Sequence, residues 1–186
     1  MITIPQLNDE LRAIRAKAEQ LTSGLTPAQL AQRPDPAKWS IAECLAHLNQ
    51  TARVMQPLIE KEIQRGEQAK VAGQGPFKPG GWGSMFTWIA EPPPKFRIPA
   101  PPNIAPPVQI GDPAVVVSEF VRYQDEWARL LKDSDGLDLA KLGVKPPFRG
   151  LFTKFRLSGV LAWMMAHERR HLWQAENVKK KLPVLP

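Results

Sequence analysis

The chain is poor in the residue types that carry most site chemistry. Its 186 residues include one cysteine, one tyrosine and three histidines. A lone cysteine, Cys44, excludes an internal disulfide, and the expected compartment is the reducing cytoplasm. No apolar run approaches the ~20 residues that a membrane-spanning helix needs. Residues Met1 to Pro5 lack a basic start followed by an apolar stretch, so no signal peptide is expected. Acids are also in deficit, 18 Asp and Glu against 25 Lys and Arg, for a net charge of +7. Such a balance admits nucleic acid or an anionic ligand. The basic residues are scattered, however, and the densest group, Lys179-Lys180-Lys181, closes a helical stretch where the dipole alone favours cations. Neither nucleic acid nor a membrane is the expected partner; a small-molecule substrate is.

With 43% apolar residues, the chain is expected to form one domain, residues 1–186, with a real core. Ile4, Leu7, Leu11, Ile14, Ala18 and Leu21 recur at steps of three and four, predicting a helix over about residues 5–23. Thr26-Pro27 reads as a cap and first helical position opening a short turn. Ser40 and Glu43 form a capping box ahead of a periodic stretch that continues to about Gly66. Pro57 lies inside it and predicts a kink or break near residues 53–57. Asp112-Pro113 opens a third long helix, ending near Ser134 to Gly136, and a fourth runs from about Leu157 to Lys181.

Between the second and third of these helices lies a different composition. Ten of the 20 prolines fall between Pro76 and Pro107, and six of the 12 glycines between Gly66 and Gly83. Residues 66–111 therefore read as a long irregular insertion, with one short helix over Ser84 to Ala90. Its aromatics argue against disorder and for a flank over the bundle, with Trp82 or Trp88 closing a pocket. Residues 137–155 form a second connection. With no strong alternating strands, the pattern is that of an all-α four-helix bundle.

All three histidines fall on these helical stripes. His167 and His171, in His167-Glu168-Arg169-Arg170-His171, are four apart and share one helix face. His47 sits some 120 residues upstream, one turn after Glu43. If His47 comes from a facing helix, three imidazoles converge on one divalent metal with coordination positions left open. Two core histidines bonded to carbonyls would give the same pair. The string His-Glu-x-x-His also matches a zinc-protease signature with Glu168 as base. No histidine follows His171, the one downstream acid, Glu176, shares the helix, and no sheet is predicted, so that reading is rejected. Glu43, Glu168 and Gln174 are candidates for orienting the ligands, and each has a plain alternative: capping box, solvated residue, polar anchor. Cys44 reads as a small buried filler. Arg169 and Arg170 fall on the flanks, where either could meet an anion.

Trp39-Ser40-x-x-Glu43-x-x-x-His47-Leu48, taken with His167-Glu168-Arg169-Arg170-His171-x-x-Gln174, resembles the DinB-like superfamily. That group contains bacillithiol transferases and mycothiol-dependent maleylpyruvate isomerase. The resemblance spans residues 5–66 and 112–181; the stretch 66–111 is longer than the family's usual loop. It implies a four-helix bundle with a divalent metal on His47, His167 and His171, a low-molecular-weight thiol as co-substrate, and a homodimer. Zinc and nickel are the metals expected of three imidazoles, with iron and copper also compatible. Three neutral ligands leave the +2 charge uncancelled, which suits activation of a thiol or a water against a small electrophile, in a thiol S-transferase-like or hydrolase-like reaction. The alternative is a non-catalytic metal-binding or stress-associated interaction protein, in which a fourth protein ligand would seal the site.

Overall fold

The computed structural model describes residues 1–96, 99–107, 109–147 and 153–182. Six helices occupy them: α1 (Ile4–Thr22), α2 (Pro27–Ala31), α3 (Ile41–Gln68), α4 (Gly80–Ala90), α5 (Pro113–Asp133) and α6 (Leu157–Lys179). Of the two irregular connections, Arg97, Ile98 and Val108 in the first, and Phe148 to Phe152 in the second, lie outside the described residues.

The helix starts follow local chemistry. Thr3, Thr26 and Ser40 each accept from a backbone N–H three residues on, and Gln6, Gln29 and Glu43 reach back to complete the box. Asp112 caps α5 with Pro113 just inside. The apolar stripe of α1 is buried from Leu7 to Leu21, as its spacing requires.

The four long helices form a four-helix bundle. Both α1 and α3 pack against both α5 and α6, which makes a square with α1 and α3 across one diagonal. Trp127 and Phe120 of α5, Ile59 of α3 and Met165 of α6 are among the side chains at its centre. No break occurs at Pro57. The helix runs uninterrupted from Ile41 to Gln68, and the Gln56 side-chain amide donates to the Tyr123 carbonyl on α5 at 3.0 Å. Packing against α5 thus offsets the one helical bond that proline removes.

The described residues of the Pro/Gly-rich stretch are structured. Ile2 and Phe77 exchange backbone hydrogen bonds, and Gly73 N–H donates to the Gly136 carbonyl. Helix α4 starts at Gly80, four residues before the sequence pattern suggests, and lies along α6. A pair of glycines permits that approach. A Cβ on Gly83 would strike the Gly159 backbone, and one on Gly159 would strike the Pro79 carbonyl. The second connection adds a two-residue antiparallel pair, β1 (Gly143–Val144) with β2 (Phe155–Arg156), too short to leave an alternating signature. Among the described residues, no helix is long and apolar enough to cross a membrane.

Candidate metal centre

The Ser40 box fixes where α3 begins, and His47 follows about two turns later. His167 and His171 lie one turn apart on α6, which packs against α3. One nitrogen from each of the three rings lies within 4.8 Å of the others. His47 Nε2 faces His167 Nε2 at 3.1 Å, and the His47 and His171 ring centroids are 4.4 Å apart. His47 and His171 are buried, and His167 is half-buried.

The partners of the outer nitrogens set the tautomers. His47 Nδ1 lies 2.5 Å from the Ile104 carbonyl oxygen. A carbonyl only accepts, so Nδ1 carries the proton and Nε2 presents a lone pair. His171 Nδ1 donates likewise to Gln174 Oε1 at 3.2 Å, which frees its Nε2. Burial holds His47 well below the ordinary histidine range, at about 4, against the opposing pull of the Ile104 carbonyl. Burial also lowers His167 and His171, helped by the neighbouring imidazoles and Arg170. All three rings are therefore neutral at pH 7, as metal ligation requires. With His167 in the matching tautomer, three lone pairs converge. That N₃ donor set fits a divalent borderline cation.

The cluster faces a cavity of about 1230 Å³. Trp39 packs against His47 and His171, with ring centroids at 5.1 and 5.7 Å. Phe86 and Ile89 of α4, Trp163 and Trp173 of α6, and Ile104 supply further apolar wall. Trp82 and Trp88 do not line it. Trp82 stacks on Phe155 and Phe86, Trp88 lies under the Lys95 ammonium, and both indoles are half exposed. The loop aromatic that reaches the cavity is Phe86, because α4 turns that face toward α6.

The other site candidates separate. Gln174 joins the cluster. Glu43 is the capping-box residue: its carboxylate is taken by the Arg33 guanidinium and the Ser40 N–H, and His47 Nδ1 is bonded instead to the Ile104 carbonyl. Glu168 is buried, and its Oε1 accepts from Gln124 on α5 at 3.2 Å; burial raises it to about 7. Cys44 is fully buried, and burial pushes its thiol up. Arg169 is paired with Glu91 and Glu10.

Over residues 10–175 the sequence matches the family model of the DinB superfamily. The chain belongs to the DinB superfamily. Among solved structures, this DinB chain is similar to YfiT from Bacillus subtilis, described as a probable metal-dependent hydrolase with an unusual four-helix bundle topology. The TM-score is 0.60 at 13% identity, covering 97% of this chain and 89% of that one. At that identity the likeness speaks for the fold. No curated protein matches this chain.

Proposed function

We propose that the protein is a metal-dependent enzyme in which His47, His167 and His171 hold a divalent cation, zinc or nickel, at the base of a substrate cavity. The observation that carries this reading is the convergence of three neutral imidazoles, two buried and one half-buried, on a large cavity, with no fourth histidine, cysteine or carboxylate in the cluster among the described residues. A sealing fourth ligand would favour a structural role; its absence from the cluster favours catalysis. When bound, the cation would act as a Lewis acid able to bring the pKa of a water down to about 7 or to deprotonate a thiol outright.

The chain's own residues do the rest. The Ile104 carbonyl and the Gln174 amide hold the outer protons of His47 and His171, which fixes ring orientation and leaves the inner nitrogens basic. Trp39 limits tilting of both rings. The apolar walls bind the body of a small electrophile and exclude bulk water. YfiT supports hydrolysis as the reaction, and the DinB resemblance supports transfer of a low-molecular-weight thiol. We further propose a cytoplasmic homodimer. Metal-loaded protein and its His171→Ala variant, assayed on a panel of aryl esters and on thiol consumption with an aryl halide electrophile, separate the reactions. Turnover of either panel that His171→Ala abolishes supports the enzyme. Stoichiometric metal without turnover on either would favour the non-catalytic alternative.

A further inference from the structure

Two adjacent arginines on α6 have opposite surroundings. Arg169 meets two carboxylates, donating to Glu91 through Nε and Nη2 at 3.0 and 2.7 Å and to Glu10 through Nη1 at 2.5 Å. Arg170 lines the cavity and meets none among the described residues. Its Nη1 donates to the Ile89 carbonyl at 3.0 Å and its Nη2 to the Phe96 carbonyl at 2.7 Å. No ion pair involves it among the described residues. A guanidinium carries five N–H donors, so three remain after those two bonds. The group is half-buried.

Such an arrangement costs stability unless something else supplies the negative charge. The carbonyls of Ile89 and Phe96 fix the fork and add no charge, so the guanidinium is held in place but not neutralised. Among the described residues, the other charges on the cavity wall are Lys38, Lys181 and one acid, Asp35, which is paired with Lys38 at 3.6 Å. The cavity is therefore positive before any cation binds, while most of its wall is aromatic or aliphatic.

We infer that Arg170 is the specificity residue of the cavity and that the substrate is a small carboxylate with an apolar body, its anion on the Arg170 guanidinium and its body against Trp39, Phe86 and Trp163. This rests on reading the cavity as a substrate site. A planar guanidinium with free donors matches a carboxylate in two-point geometry. Anchoring at Arg170, next to His171 in the chain, would present the rest of the molecule to the three-histidine cluster.

The test uses metal-free protein, so that no carboxylate can ligate a cation. Calorimetric titrations compare 4-phenylbutyrate with the uncharged 4-phenylbutyramide, on wild type and on Arg170→Met and Arg170→Lys. Wild type is expected to bind the carboxylate at least about tenfold more tightly than the amide, the difference one charge-assisted hydrogen bond makes. Arg170→Met should bring that ratio close to one while amide affinity holds, and Arg170→Lys should retain part of it. Equal affinities in wild type, or no binding of either compound, would overturn the inference, as would a preference that survives in Arg170→Met. The wild-type comparison decides the matter even if a variant fails to fold. Absence of metal uptake would defeat the enzyme reading and leave this ratio unchanged, so the two failures are distinguishable.

Discussion

His47 and Ile104, 57 residues apart, are joined by a hydrogen bond from a buried imidazole to a backbone carbonyl of the proline-rich connection. The connection between α4 and α5 is thereby part of the centre, because it sets which nitrogen of His47 faces the other two rings. Ile104 is itself buried, so its side chain anchors the carbonyl. Ile104→Gly is expected to loosen that anchor and lower zinc affinity by about tenfold or more, the usual cost of losing an orienting partner. Competition against a chromophoric chelator measures it, and an unchanged affinity would leave the loop as cover alone.

Gln174 plays the same part for His171. Gln174→Leu keeps the volume and removes the acceptor, so metal affinity should fall by about ten- to a hundredfold while thermal stability of the metal-free protein changes little. Gln174→Glu restores an acceptor and should recover most of the affinity. If Leu and Glu behave alike in the same titration, the contact has no orienting role.

Glu43 should act on stability and not on metal. Burial raises its pKa, but the Arg33 guanidinium and the Ser40 N–H outweigh burial and hold it below the ordinary glutamate value. A carboxyl depressed in the folded state stabilises above its unfolded pKa, about 4.3, and that contribution is lost as pH falls through the folded value. Glu43→Gln is expected to cost about 1 kcal/mol at pH 7, with the gap to wild type closing in acid. Urea titrations at pH 7 and pH 3.5 read this directly. A gap that persists unchanged at the lower pH would contradict the assignment.

Gly83 and Gly159 let α4 lie on α6 and so hold Phe86 and Ile89 over the cavity. Gly159→Ala should destabilise by about 1–3 kcal/mol, since backbone must move to admit the methyl group. Its denaturation midpoint, compared with that of Gly24→Ala, where a Cβ meets no atom but takes a positive φ of 73°, separates clash from backbone strain.

Much of this was legible in the sequence. The Ser40-Glu43 box, the stripes of α1, α5 and α6, and the four-residue step from His167 to His171 are local signals, and the helices follow them. What was not legible depends on packing. The helix continues through Pro57 because α5 supports it. Phe86, and not Trp82 or Trp88, reaches the cavity because the glycine contact at Gly83 and Gly159 sets how α4 rolls on α6. Ile104 carries no local mark of its bond to His47, since any residue type offers a carbonyl. Arg170 is distinguishable from Arg169 only once their partners are known: among the described residues one meets two carboxylates, the other none.

The central claim is that His47, His167 and His171 bind one divalent cation together. Elemental analysis of untagged protein, beside His47→Ala, His167→Ala and His171→Ala variants of verified helical content, tests it most directly. Near-stoichiometric zinc or nickel in wild type, lost in each of the three variants, is the predicted result. A metal-free wild type that takes up neither ion on addition would contradict it and leave the three imidazoles as a buried polar cluster in a helical bundle.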